Sequence, residues 1–491
     1  MSAATLLREA RLDGAVLDVL VEDGVLTAIG PDLEVPAGAE IAELDGRPLL
    51  PGLWDNHVHF DQWALARTRL DLAAATSAAA VAELVAARLR ADPPAAGTPL
   101  VGAGFRDALW PDRPHRALLD AVSGPVPVVL VAADLHCCWL NSAAADRYGH
   151  AANPTGLVRE SDWHPIMNRI RELPRSVLDG YAADAAAAAA ARGVVGIVDF
   201  ESPWQLDAWS ERIGAGLAAL RVVASVWPSH LHDPIARGLR TGDVIAGTGG
   251  LLTMGPLKVV TDGSLNTRTA YCHDPYPASV GADHPCGMLL VPPEELEPLL
   301  GRATAAGLDC AVHAIGDHAN ELALNAFAAV GARGRVEHAQ LLTPRDVGRF
   351  AELGVVASVQ PEHAIDDRDV ADHYWAGRTH RAFAYRSLLA AGAELALGSD
   401  APVAPLDPWI TLAAAVHRSA DERPSWHGEQ EIELTAALAA SAGAAGPVAV
   451  GRPADLVVTE LDPGAVEADR LRAMPVAATM LGGRWTHRTG F

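Results

Sequence analysis

The sequence predicts an α/β fold: a (β/α)8 TIM-like barrel with a small β-sandwich formed from both termini and a cap inserted after the first barrel strand. Eight short apolar, β-branched runs alternate with Ala/Leu-rich stretches of helical character. The two ends of the chain share another texture, short alternating runs, broken by Asp-Gly pairs in the first of them. Finally, the first of the eight runs is parted from the second by residues 61 to about 190, too long a stretch for one crossover helix.

Taken in order, residues 1–50 hold "AVLDVLVEDGVLTAIG" and "AEIAELDGRPLL", whose Asp-Gly pairs suit tight hairpin turns. Residues 443–491 repeat that pattern in "GRPADLVVTELDP" and "VAATMLGGRWTHRTG", so the two ends are expected to pair into one sandwich. Residues 51–442 form the barrel, with the cap at about 61–190. Its strands are read in "LLPGLWDNHVHF", "GVVGIVDF", "LRVVASVWP", "PLKVVTDG", "LDCAVHAIG", "GRVEHAQ", "GVVASVQPEH" and "AELALGSDAPV". A doubly wound sheet has the same alternation, but a count of eight favours the barrel. The poly-Ala run "YAADAAAAAAARG" reads as a helix.

Composition narrows the function. Across 491 residues, 38 basic against 61 acidic side chains give a formal charge of -23, which repels nucleic acid and anionic lipid surfaces. Cys137, Cys138, Cys272, Cys286 and Cys310 are odd in number and lack C-x-x-C spacing, so they read as reduced thiols. No signal peptide and no apolar stretch of membrane-spanning length is evident, and a soluble cytoplasmic protein is expected.

The polar ends of the strands carry the chemistry. His57 and His59 in "DNHVHF" are two apart and share one face of a strand. His313, His338 and Asp400 stand at the ends of later strands, and His363 closes the seventh as a pocket candidate. Any one alone is more often structural; together, at one end of consecutive βα units, they point to a catalytic metal site of imidazole and carboxylate ligands suited to zinc, manganese or iron. Lys258 on the fourth strand is the only lysine among the 38 basic residues. Its neutral amine could add carbon dioxide to become a carbamate bridging two ions, which the permanently protonated arginine cannot do. Such a pair would generate hydroxide from water near neutral pH, and Asp400 would shuttle its proton to the leaving group.

As a set, "LLPGLWDNHVHF", "KVVTDGSLNTRTA", "HAIGDHAN", "VEHAQL", "GSDAPVAPLDP" and the closing "GRPADLVV" resemble the metal-dependent amidohydrolase superfamily, in particular the amidohydrolase family 3 branch that includes N-substituted formamide deformylases. The resemblance implies that His57, His59, Lys258, His313, His338 and Asp400 hold two divalent ions, zinc before manganese or iron, with Lys258 carboxylated as the bridge. It implies hydrolysis of a C–N amide bond in a small substrate, with Asp400 and Lys258 catalytic. It also implies that Trp110 and His136, in the segments "GAGFRDALWPDRPHRALLD" and "DLHCCWLNSAA", contact that substrate. Asn266 and Thr267 replace the Gly-Ser pair usual in the family and alter the expected loop.

Other residues have plainer readings. Asp317 is expected to cap a helix and Glu337, beside His338, to point to the opposite strand face. Arg268 and Arg381 read as solvated surface. Two rival functions stand beside amide hydrolysis: an aminohydrolase or cyclic amide hydrolase acting on a heterocycle, and a non-catalytic ligand-binding barrel. Deamination by the usual route needs a glutamate where this chain has Gly316. The expected partner is a small amide, with no nucleic acid and no membrane, and a homodimer is left open.

Overall fold

The computed structural model describes residues 4–95, 97–171, 173–202, 204–277 and 284–491. Eight parallel strands form one sheet: β1 (Leu53–Val58), β2 (Val194–Asp199), β3 (Arg221–Val226), β4 (Leu252–Val260), β5 (Cys310–Ala314), β6 (Gly334–His338), β7 (Val356–Val359) and β8 (Leu395–Leu397). They lie in chain order across the sheet. Every residue of β1, β2 and β5 is buried, as near-continuous apolar strands covered on both faces must be.

The seam between β8 and β1 closes the sheet into a barrel. Asp400 N donates to His57 O at 2.7 Å, and His59 N donates to Ala401 O at 2.8 Å. Asn56 Nδ2 reaches Leu397 O at 2.9 Å, and Ser399 N reaches Asp55 Oδ1 at 2.8 Å. Side chains thus reinforce backbone pairing at the point where the His-x-His motif meets Asp400.

The termini form two four-stranded sheets. One runs Val25–Gly30, Ala15–Glu22, Ala4–Leu12, Glu40–Glu43, and the other Arg484–Arg488, Val476–Leu481, Leu456–Thr459, Leu49–Pro51. Leu7, Val19 and Leu26 of the first share an apolar core with Leu456, Val458 and Met480 of the second. The hairpin turns Asp13-Gly14 and Asp23-Gly24 hold positive φ at both residues, which is what their sequence favours.

Between β1 and β2 lies a five-stranded sheet with its own core, ordered Leu157–Arg159, Cys137–Leu140, Val128–Ala132, Leu100–Phe105, Leu70–Asp71. The helices at the two ends of the 61–190 region differ from it in packing. Phe60–Ala66 and the Ala-rich helix Arg175–Ala190 bury Phe60, Trp63, Ala182, Ala185 and Ala189 in the barrel core. Helix Arg175–Ala190 therefore serves as the outer helix that leads into β2. Among the described residues, no helix is long and apolar enough to cross a membrane, and all five cysteines are free.

Candidate metal centre

The C-terminal mouth of the barrel gathers His57, His59, Lys258, His313, His338, His363 and Asp400 around one cavity of about 460 Å³. One ligand atom each from His57, His338 and Asp400 lies within 4.8 Å of the others. The ring centroids of His313 and His338 are 4.4 Å apart, and those of His57 and His338 are 5.0 Å apart.

His57 is set by Glu337. Its Nδ1 donates to Glu337 Oε2 at 2.7 Å, and this fixes the tautomer that leaves Nε2 with a free lone pair. Nε2 faces Lys258 Nζ and Asp400 Oδ1, each at 3.4 Å. His59 Nε2 lies 3.4 Å from the same Asp400 oxygen. Burial, aided by Lys258, lowers the pKa of His57 to about 4, and burial also lowers His313, His338 and His363. All four rings are therefore neutral near pH 7, the form a metal needs.

The expectation for Glu337 was wrong, and backbone geometry explains why. Glu337 takes the inward position on β6, where it is fully buried and ion-paired to Arg335 Nε at 2.6 Å. Regular alternation would then turn His338 outward. Instead His338 adopts φ 74° and Ala339 φ 44°, and this left-handed kink swings the imidazole back over the cavity. Asp400, at the end of β8, has φ 59°. Positive φ at non-glycine residues costs free energy and tends to mark functional sites.

Lys258 is buried at 1% exposure with Nζ 4.4 Å from the Phe200 ring centroid. Burial lowers its pKa to about 8, outweighing the carboxylates of Glu337 and Asp400. A substantial neutral fraction is thus present near physiological pH. Burial would raise the Asp400 carboxyl, but contact with His57, His59 and His338 outweighs it and keeps the group well below the usual carboxylate range. His363, in the short helix that follows β7, meets Gln340 Nε2 at 3.2 Å through Nδ1 and lies 3.8 Å from Asp400 Oδ2 through Nε2.

These residues fit a divalent metal. One buried ring nitrogen on each of His59, His313, His338 and His363 has no hydrogen-bond partner among the described residues. An unsatisfied buried polar atom costs about 1–3 kcal/mol, and an ion held by these cavity-lining residues would offset that cost. Nitrogen and oxygen donors without thiolates suit zinc, manganese or iron.

The opposite wall comes from the insert and the segment after β4. His136 Nδ1 donates to Glu160 Oε2 at 2.9 Å, and its ring centroid is 6.2 Å from that of His313. Burial opposes its charge, but Glu160, Asp134 and Asp262 raise its pKa to about 9. Glu160 is itself lowered to about 2: burial would raise it, and His136, Thr269 and Thr267 outweigh that effect. Thr267 and Thr269 donate to Glu160 Oε1 at 3.1 and 2.9 Å, while Asn266 Nδ2 donates to Asp134 Oδ2 at 3.2 Å. The unusual Asn266-Thr267 pair thus ties the barrel to the insert.

Several expected roles change. Trp110 does not line the cavity; it packs 5.8 Å from Phe105 within the core of the insert. Asp317 is not a cap, because the helix Asp317–Val330 begins at Gly316 without side-chain capping. Instead Asp317 accepts from His273 N at 3.0 Å and pairs with Arg381 at 3.3 Å. Arg381 is thereby an internal partner, and Arg268 bonds Asn266 O and lies 5.6 Å over Tyr374, so neither is free surface. At Gly316, a Cβ would meet the Tyr271 backbone at 2.0–2.7 Å, so no glutamate fits there.

Sequence reasoning missed Glu160, Asp134 and Asp262. Asp262 accepts backbone N–H groups from Tyr271, Ile315 and Gly316, and its Oδ1 lies 3.4 Å from His313 Nε2. The signal available was the "TDGS" that follows Lys258, a polar cluster straight after an apolar strand.

A parallel barrel with a buried histidine, lysine and aspartate cluster at its C-terminal mouth defines the class of barrel hydrolases. A model of the amidohydrolase family matches residues 40–487, and the chain belongs to that family. It is 28% identical over 492 residues to protein LONG AFTER FAR-RED 3 of Arabidopsis thaliana, covering 91% of this chain and 83% of that protein. It is 24% identical over 524 residues to the N-substituted formamide deformylase of Arthrobacter pascens, covering 95% and 94%. Among solved structures, an uncharacterized metal-dependent hydrolase from Pyrococcus horikoshii OT3 superposes with a TM-score of 0.78 at 25% identity, covering 95% of this chain and 99% of that one.

Proposed function

We propose that this hydrolase cleaves a C–N amide bond, in an N-substituted formamide or another small amide, at two divalent ions bridged by carboxylated Lys258. The observation that carries the reading is the convergence of His57, His59, Lys258, His313, His338 and Asp400 on one cavity, with neutral rings at His57, His313 and His338 and unpartnered ring nitrogens at His59, His313 and His338 among the described residues. The likeness to a formamide deformylase along nearly the whole chain supports the substrate class.

Ions bound there, zinc in the first instance, supply Lewis acidity toward a substrate carbonyl and lower the pKa of water. His57, His59, His313, His338, Asp400 and a carboxylated Lys258 would hold those ions. Glu337 keeps the His57 ring in the ligating tautomer. Asp400, within 3.4 Å of His57 and His59, would take the proton of the attacking water and pass it to the leaving amine. His136, charged, anchored by Glu160 and lining the cavity, would offer an N–H to negative charge growing on the substrate oxygen. Deamination through a glutamate at position 316 is disfavoured by the steric closure around Gly316.

The test is metal equivalents per chain by plasma mass spectrometry on protein produced with zinc or manganese and bicarbonate, followed by turnover on a panel of amides and formamides. About two equivalents with amide turnover supports the proposal. One equivalent, or none after reconstitution, overturns the carbamate-bridged pair.

A further inference from the structure

A second group of ligand-type side chains stands apart from the cavity. His273 lies in the segment after β4, and His318 and Glu321 lie one turn apart on the same face of helix Asp317–Val330. One donor atom from each lies within 4.8 Å of the others, and none of the three lines the cavity. His273 Nε2 is 3.0 Å from Glu321 Oε2. The His273 and His318 rings stack with centroids 4.3 Å apart and planes 17° apart.

The backbone holds these side chains together independently of their own contacts. His273 N donates to Asp317 Oδ1 at 3.0 Å, and Ala319 N donates to Tyr271 O at 3.1 Å. Tyr271 also stacks on His318, with centroids 4.6 Å apart. An ion pair accounts for His273 and Glu321, yet the ring nitrogens of His318 have no hydrogen bond among the described residues. Two imidazoles with a carboxylate beside them thus place three donor atoms close together.

We infer that His273, His318 and Glu321 form a peripheral divalent transition-metal site, separate from the centre in the barrel mouth. Two nitrogens and one oxygen suit zinc, cobalt, nickel or copper, with water completing the coordination shell. Zinc–nitrogen bonds of about 2.0–2.1 Å place neighbouring donors of a tetrahedral ion about 3.3 Å apart. Binding therefore draws the donors inward, a small rotation for His273, whose side chain is 38% exposed.

The site couples to the cavity wall through its position in the chain. The segment that ends at His273 carries Ser264 and Asn266, which line the cavity, and Thr267 and Thr269, which anchor Glu160. An ion at the three residues clamps this segment to the helix that follows β5, the strand of His313. It thereby steadies one wall of the pocket from outside.

The experiment is a cobalt(II) titration of tag-free protein, followed by absorption and by ion count after gel filtration. Wild type is expected to take up one ion more than His318→Ala. Glu321→Gln keeps the shape of the side chain and is expected to weaken that ion at least tenfold, which guards against misfolding of the alanine variant. A His57→Ala, His59→Ala double variant separates the two sites: it is expected to lose cobalt from the barrel mouth and keep the ion at His318. Equal uptake by wild type, His318→Ala and Glu321→Gln overturns the inference, whatever the barrel centre binds. An ion that depends on His318 while the barrel mouth binds none sustains it and instead overturns the reading of the centre.

Discussion

Two histidine–glutamate pairs face one cavity with opposite charge. His57 meets Glu337 at 2.7 Å and His136 meets Glu160 at 2.9 Å, each through Nδ1. Burial and the adjacent Lys258 lower His57 to about 4. Around His136 burial acts in the same direction, but Glu160 with Asp134 and Asp262 outweighs it and raises the ring to about 9. The surrounding charges make the difference: His57 has the cation of Lys258 beside it, whereas His136 has the carboxylates of Asp134 and Asp262 beside Glu160. One side-chain pair thus yields a neutral ligand on the barrel side and a cation on the insert side.

The strongest way to break this contrast is to remove the amine beside His57. Lys258→Arg keeps a cation but removes the group able to carry a carbamate, and it is expected to lower kcat on the order of 10³-fold or more, with a drop in bound metal. Near wild-type turnover on a confirmed substrate would sink the bridging role. On the insert side, His136→Gln removes the cationic donor, and a loss of about 10²-fold in kcat with a smaller change in KM is expected. The pH profile sharpens this prediction. The His136 pKa is raised above its ordinary 6.5, so its contribution is full below that value and is lost as pH rises through about 9. Glu160 is lowered from 4.5, so its contribution is lost only as pH falls through about 2. Activity should therefore decline on the alkaline side near pH 9, and that decline should be missing in His136→Gln.

Glu337→Gln tests the barrel-side pair itself. The amide can still accept from His57 Nδ1 but leaves Arg335 without its charge partner, and metal affinity should fall about 10- to 100-fold in a chelator competition. Unchanged affinity would show that the tautomer of His57 is fixed by other means. Trp110→Phe marks the small end of the scale: kcat and KM should stay within about twofold, with only a modest loss in Tm from a repacked insert core. A large rise in KM would return Trp110 to the substrate pocket.

The eight strands were legible because buried parallel strands leave apolar runs bounded by polar ends, and "AVHAIGD" and "ALGSDAP" carry that signature plainly. The gathering of His57, His59, His313, His338 and Asp400 followed from placing those ends at one mouth. Glu337 was misplaced because alternation assumes a regular strand, and the left-handed φ of His338 is a tertiary outcome that no neighbouring glycine announces. Glu160 was invisible for a different reason. Its partners His136 and Thr269 come from an insert and a later loop, and only the folded chain brings the three together. Trp110 was assigned by likeness of segment, and its burial among insert residues could not be read from spacing.

The β8–β1 seam makes assembly of the centre a late event. His57 and Asp400 are partners across a backbone hydrogen bond, yet they are separated by most of the barrel in the chain. A growing polypeptide displays its His-x-His pair early, and the carboxylate that completes the set comes only after all eight barrel strands in the chain. Loop closure over that span is slow compared with local pairing. A chain that lacks the last strand would therefore lack both the seam and the carboxylate that completes the donor set.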